Sequence, residues 1–455
     1  MLTLCIGAFM GALDAGLVII SLPRIAQQLH CSMADISWIL IAILTTSGSM
    51  LILFGWLGDM VPPGRLYLLG LLIFIFASSF CYLSPSWFWL VVSRGLLGIS
   101  GALLLALSPK IIVQLYAVGE RGTPFGWISF SLAFGGAMGW PLGGVITSHL
   151  GWHFIFVINI LLGCLALISG CRVLVTLPAG KSLGGKVHAL IGGLILAVSL
   201  IFLFLALGGL SELGRLSLKA WGSLGFAVGL FGILVLWENR HGLEFLQPEI
   251  WRSRVFLFGT LGLLIINAAF QGTLFLLPFF LEHIFLYSPY QSGIMLAVVG
   301  VFGAFGSYIA GHMADRFGNV RVVRIALLII LLGLTPMLIT GPENPSFVLI
   351  GQLGLIRVGY GAFLPANFNE IMRFINPKIS GLAASSAYLL KKIGAILGIN
   401  LIVLAFSWLE LHHIVLKEGF YLKLEHFRLA FATMIVIGSI NLLIYFVLFR
   451  SKPPS

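Results

Sequence analysis

Charge is what this sequence has least of. Only 9% of its 455 residues are Asp, Glu, Lys or Arg, whereas 59% are hydrophobic, and a water-soluble domain of this size needs far more polar surface. A soluble globular fold is therefore excluded. Strict apolar/polar alternation over stretches of about ten residues is also missing, which excludes a transmembrane β-barrel. Cysteine is scarce: Cys5, Cys31, Cys81, Cys164 and Cys171 form no ligand-spaced cluster and lie mostly within apolar runs, so they read as packing residues and not as a metal site. No Gly-x-x-x-x-Gly-Lys-Ser/Thr loop occurs, so ATP is not the direct energy source and no cofactor is implied. The formal net charge of +11 suits a nucleic-acid partner only when the cations gather on one face or tail, and here they stand singly between apolar runs. A basic segment ahead of the first apolar run is absent as well. That run starts at Leu2 and continues for a full span, which argues against a cleavable leader and against Met1 as the natural start.

What the sequence does have is one uncharged apolar run after another, each long enough to cross the roughly 30 Å of a bilayer core with about twenty helical residues. Fourteen spans are predicted, near 2–22, 36–58, 66–84, 87–108, 124–147, 154–175, 188–209, 219–237, 255–282, 290–312, 322–340, 346–367, 381–409 and 427–449. The connections are short. The longest run from Glu238 to Arg254 and from Glu410 to His426, too short for a separate soluble domain. With Met1 inside, sixteen Lys and Arg fall in inward segments, six in outward ones, and four (Arg94, Arg357, Lys391, Lys392) within spans. Because Lys and Arg are retained on the cytoplasmic side, this places both termini in the cytoplasm.

An internal repeat divides the chain. GWLGDMVPPGR follows the second span and GHMADRFGNVR the tenth, so that Gly55, Asp59 and Arg65 recur as Gly311, Asp315 and Arg321. Arg94 with Gly98 recurs in the same register as Arg357 with Gly361. The expected organisation is an all-α polytopic membrane protein with a six-helix bundle over 1–175, two inserted helices over 176–254, and a second six-helix bundle over 255–455.

These strings resemble the major facilitator superfamily, and in particular its fourteen-helix drug/proton antiporter branch, over nearly the whole chain. LDAGLVIISLP in span 1 is similar to the branch's first-helix signature, with Asp14 and Pro23 in place. The two repeated loops resemble the superfamily's cytoplasmic loop signature, and the second copy, with Arg316 and Gly318, is the closer. SRGLLGISGA resembles an Arg-x-x-Gln-Gly motif in which Leu97 replaces Gln. GGAMGWPLGG resembles the glycine-rich antiporter motif through Gly135, Gly139, Gly143 and Gly144, with Pro141 one residue late and Trp140 at the usual proline. GWHFIFVIN has His153 where Arg is usual, and KKIGAILG has Lys391 for Arg. The resemblance implies a carrier in a bacterial inner membrane that exchanges a lipophilic or amphipathic compound for protons. It also admits a periplasmic adaptor protein as partner.

The residues carry this chemistry as follows. Asp14 lies about twelve residues into span 1, or roughly 18 Å, near mid-bilayer, where an ionised carboxyl costs about 2.5–3.5 kcal/mol and needs a partner, water or a proton. Arg94, about seven residues below the outer end of span 4, reaches a similar depth. Burial opposes ionisation and a neighbouring guanidinium favours it, so Asp14 is expected to carry or sense the coupled proton and Arg94 to tune it. By resemblance, Gly55, Asp59, Arg65, Gly311, Asp315, Arg316, Gly318 and Arg321 latch the inner face. Gly135, Gly139 and Gly143 share one helical face suited to close backbone approach, and Pro141 is expected to bend that helix. Asn267, Gln271 and Glu282, among the phenylalanines of span 9, with Arg357 and Lys391, are candidate linings of a substrate cavity. The deep lysines favour an alternative cargo, an anionic metabolite, siderophore or lipid. A membrane-embedded transferase is the remote alternative, because no paired carboxylates, metal-spaced histidines or nucleophile motif stands at a membrane face.

Overall fold

The computed structural model describes residues 1–116, 122–177, 187–209, 218–241, 248–373, 375, 380–412 and 424–448. Among these, every regular element is helical: α1 (Leu2–Gln28), α2 (Met33–Met60), α3 (Pro63–Tyr82), α4 (Trp87–Leu115), α5 (Gly122–His149), α6 (Ile155–Leu174), α7 (Val187–Gly208), α8 (Leu218–His241), the short α9 (Pro248–Arg252), α10 (Arg254–His283), α11 (Pro289–Phe317), α12 (Asn319–Leu334), α13 (Ser346–Arg373), α14 (Ser380–His412) and α15 (Leu424–Leu448). Thirteen helices among the described residues are long and apolar enough to cross a membrane. The remaining long helix, α5, is diluted in hydrophobicity by its glycines and serines. Helices apolar on every side suit lipid, where each backbone N–H and C=O must be satisfied within the segment.

The predicted spans are all helical, but some helices outrun their apolar core. α4 continues through Pro109 and Lys110 because Ile111 and Ile112 beyond them are fully buried. α8 extends to His241 and buries Glu238, a residue expected in an aqueous connection. α9 also occupies part of that connection.

Two compact units form. Among the described residues, the first holds those up to Gly209 together with α8, and the second those from Pro248 onward. In the first unit α1 packs on α5 and α6, α2 on α4, and α3 on α4 and α6. The second unit repeats this scheme with α10 on α14 and α15, α11 on α13, and α12 on α13 and α15. α7 and α8 pack against each other, and α7 lies on α2, so both helices of the predicted insert belong to the first unit.

The repeat extends to the caps. Ser32 and Asp35 close a reciprocal capping box at the start of α2, and Ser288 and Gln291 close another at the start of α11. Both pairs lie 256 residues apart, the spacing that separates Gly55 from Gly311. Each box satisfies two orphan amides where the chain enters a helix.

Candidate functional site

The first unit is built around a close crossing of α1 and α5. A Cβ on Gly139 would stand 2.6 Å from the Leu13 carbonyl oxygen and 2.9 Å from Gly16 Cα, and one on Gly143 would stand 2.9 Å from Leu17 Cα. Gly135 meets the Phe9 backbone in the same way. Small residues thus let the two backbones touch over the stretch that contains Asp14. Gly144 is buried beside them, and α5 runs on through Pro141 without interruption. Above the crossing, the Ser21 and Thr147 hydroxyls join the helices at 2.7 Å.

This packing turns Asp14 away from α5 and into the space between α4 and α6. Asp14 is 2% exposed and Arg94 1%. Arg94 Nη1 donates to both carboxylate oxygens, at 2.9 Å to Oδ1 and 2.7 Å to Oδ2. Asn159 of α6 completes the site by donating its Nδ2–H to Oδ1 at 2.7 Å. Three hydrogen bonds are donated to this one carboxyl group, an arrangement of donors that suits an anion. α4 is held in place from its other side, where the Thr46 hydroxyl of α2 donates to the Gly95 carbonyl at 2.8 Å and Gly98 abuts the Ile43 backbone. Leu97, one turn from Arg94, is buried and apolar; the amide on the carboxylate comes from α6 instead.

The second unit keeps the arginine, and the residue at the place of Asp14 is apolar. Gly394 and Gly398 of α14 abut the Leu264 and Ala268 carbonyls as Gly135 and Gly139 abut Phe9 and Leu13, so Ala269 stands where Asp14 does. The Arg357 guanidinium lies 5.0 Å from the Phe270 ring centroid, and Phe270 stacks on Tyr360 at 3.5 Å. The Tyr360 hydroxyl donates to Asn267 Oδ1 at 2.8 Å, and Asn267 Nδ2 donates to the Leu263 carbonyl at 2.7 Å. A small apolar void beside this group is lined by Thr273, Leu277, Leu296, Val299, Leu353 and Arg357.

The candidate cavity residues therefore divide. Asn267 and Arg357 meet around Phe270 and Tyr360, and Gln271 is half-buried on the same helix. Glu282 lies at the C-terminal end of α10, about 18 Å along the helix from Phe270 by its rise. Lys391 lies on α14 with its Nζ 5.9 Å from the Tyr388 ring centroid. α10 and α14 run parallel, with Gly394 opposite Leu264, so Lys391 is level with residues near 261 and about 30 Å below Glu282. A rigid helical rise keeps those two charges apart.

Of the latch residues, Gly55 accepts a hydrogen bond from the Lys110 ammonium of α4 through its carbonyl. Arg65, Arg316 and Arg321 are exposed, with Arg316 over the Phe317 ring. Gly311 is open to space, and Gly318 takes φ +83° at the α11–α12 corner, which a side chain would strain. The side chains of Asp59 and Asp315 lie outside the described residues.

Asn159, Tyr360, Gly394, Gly398 and Lys110 were not singled out by sequence reasoning. A signal existed for Asn159, a lone amide at the fifth residue of α6 in a run of apolar residues. Gly394 and Gly398 share the four-residue spacing that marked the α5 stripe.

Comparison with known proteins gives one consistent family. The model described as the Major Facilitator Superfamily matches residues 4–399. The riboflavin transporter RibZ of Clostridioides difficile (strain 630) is 28% identical over 402 residues, covering 88% of this chain and 86% of that protein. The methylenomycin A resistance protein of Bacillus subtilis (strain 168) is 27% identical over 403 residues, covering 88% and 85%. The multidrug transporter protein MdtP of the same organism is 25% identical over 405 residues, covering 88% and 73%. Among solved structures, an inward-facing, unoccupied bacterial homologue of the human lysosomal transporter Spinster aligns with a TM-score of 0.71 at 16% identity, over 100% of this chain and 98% of that one. The nucleoside transporter NupG aligns with a TM-score of 0.66 at 14% identity, over 99% of both. At these identities the structural likeness speaks for the fold alone.

Proposed function

This chain belongs to the major facilitator superfamily, and from that premise we propose that it is a proton-coupled exporter of lipophilic or amphipathic compounds, of the fourteen-helix drug/proton antiporter branch. It is an integral membrane transporter and not an enzyme. The observation that carries the coupling is the Asp14 carboxylate, buried in α1 and held by Arg94 and Asn159. A carboxyl there is stable as an anion only while its partners stay in place. Moving α1 against α4 or α6 during alternating access strips those partners away and favours protonation, and restoring them favours release. Export of a compound follows if the proton and the cargo favour opposite arrangements.

Two of the relatives are named for drug resistance or multidrug transport, which supports a lipophilic cargo. The second reading, an exporter of an anionic metabolite, siderophore or lipid, is favoured by Lys391 on Tyr388 and Arg357 on Phe270, two cations set on aromatic faces in one unit. The riboflavin transporter among the relatives fits a polar aromatic cargo equally. The Gly55–Arg65 and Gly311–Arg321 corners are read as latches on the cytoplasmic face of a bacterial inner membrane. Lys110, bonded to Gly55, is a further member of the first.

Proteoliposomes with an imposed pH gradient test the proposal. Flux of a lipophilic cation and of an anionic dye is followed in the intact protein and in Asp14→Asn. Gradient-driven flux of the cation, lost in Asp14→Asn, is the expected result. Full gradient-driven flux by Asp14→Asn would remove the carboxyl from the mechanism, and flux of the anion alone would select the second reading.

A further inference from the structure

The Asp14 site contains two buried polar atoms with no hydrogen-bond partner among the described residues, Arg94 Nε and Asn159 Oδ1. They differ in kind. An orphan N–H on a guanidinium is a spare donor, whereas an orphan amide carbonyl is a spare acceptor, and buried acceptors are ordinarily satisfied. Asn159 is fully buried, and the other end of its amide is already committed to Asp14 Oδ1 at 2.7 Å. The amide therefore sits against the carboxylate with its acceptor oxygen unused.

Protonation changes what the carboxyl asks of its surroundings. An ionised Asp14 offers acceptors only, and the present arrangement of three donated bonds suits it. A protonated Asp14 has one O–H that needs an acceptor. Arg94 has none to give. Of the two side chains bonded to the carboxylate, Asn159 alone carries one, the unused Oδ1. We infer that Asn159 is a positioning residue with two settings: its amide donates Nδ2–H to Asp14 when the carboxyl is ionised, and turns about its terminal bond to accept the carboxyl O–H on Oδ1 when Asp14 is protonated. The step balances: a proton adds to an Asp14 oxygen, the Nδ2–H···Oδ1 bond breaks and an O–H···Oδ1 bond forms, while Arg94 Nη1 keeps the other oxygen. Because Asn159 belongs to α6, the charge of a residue on α1 is transmitted to a third helix.

The surroundings leave this role to Asn159. Among the described residues, α4 presents Arg94 to Asp14, and α3 places the Cys81 thiol within electrostatic reach of both. α5 turns its glycines toward α1, and α6 presents the amide. The inference rests on the proposal that Asp14 exchanges a proton.

The test needs no transported compound. The full-length protein in lipid nanodiscs is titrated while infrared difference spectra follow the protonated-carboxyl C=O stretch, with Asp14→Asn identifying the band that belongs to Asp14. In Asn159→Leu, which keeps the branched shape but neither donates nor accepts, the C=O frequency of the Asp14 band is expected to rise because the O–H has lost its acceptor. Asn159→Ser, which can do both, is expected to fall between the two, and it carries the test if the leucine variant does not fold. An Asp14 band at an unchanged C=O frequency in a folded Asn159 variant overturns the role of Asn159 and leaves the proton reading standing. No Asp14 band at any pH in the intact protein overturns both.

Discussion

Asp14 is held in an apolar surround because Arg94 Nη1 and Asn159 Nδ2 together donate three hydrogen bonds to it, and the two partners are not interchangeable. Removing the guanidinium in Arg94→Ala strands a buried anion, which costs about 3–5 kcal/mol. A lower unfolding temperature of the purified protein is the expected outcome. Adding Asp14→Asn to that variant removes the stranded charge and is expected to recover a good part of the loss, because effects within one ion pair are not additive. Equal losses in the single and double variants would mean that Arg94 contributes by packing and not by charge. Asp14→Asn alone leaves the buried Arg94 cation without its counter-charge and is expected to lower the unfolding temperature as well as to abolish gradient-driven flux.

At the scale of helices, stability rests on places where backbones touch. Gly139→Ala pushes a methyl against the Leu13 carbonyl and Gly16. Overpacking of this kind costs about 1–3 kcal/mol, and the expected result is earlier thermal aggregation with the Asp14 titration disturbed as well. Gly398→Ala is expected to do the same in the second unit, where the added atom meets the Ala268 carbonyl. Gly136→Ala serves as the control, since nothing lies within 4 Å of its added Cβ, and it is expected to be neutral or slightly stabilising. If Gly139→Ala and Gly136→Ala behave alike, close helix approach does not hold α1 and α5 together. The α5 stripe was legible beforehand from glycines four residues apart; its α14 counterpart was partly hidden by the lysines that precede it.

For the whole chain, orientation follows from the excess of Lys and Arg on one side of the spans. A version lacking its native cysteines, with one cysteine placed at Leu286 in the α10–α11 connection or at Val175 at the end of α6, makes this measurable. Both positions are well exposed. In intact cells an impermeant maleimide is expected to label Leu286→Cys, and to reach Val175→Cys only after permeabilisation. The reverse pattern would invert the topology. The duplicated scheme of helix contacts makes a related point, because the two units share an architecture while Ala269 in the second stands at the place of Asp14 in the first.

Hydrophobicity and helical hydrogen bonding are local properties. From them the sequence alone determined where the spans lie, where the repeat begins, and that Asp14 and Arg94 share a depth. Depth follows from counting residues at a fixed rise. Which neighbour a side chain meets at that depth depends on how each helix is rotated about its axis, and helices that are apolar on every side carry no polar face to set that rotation. Only packing of the glycine stripes decided it. The tertiary structure thereby brought Asn159 to Asp14, set Arg357 against Phe270, and kept Lys391 far from Glu282.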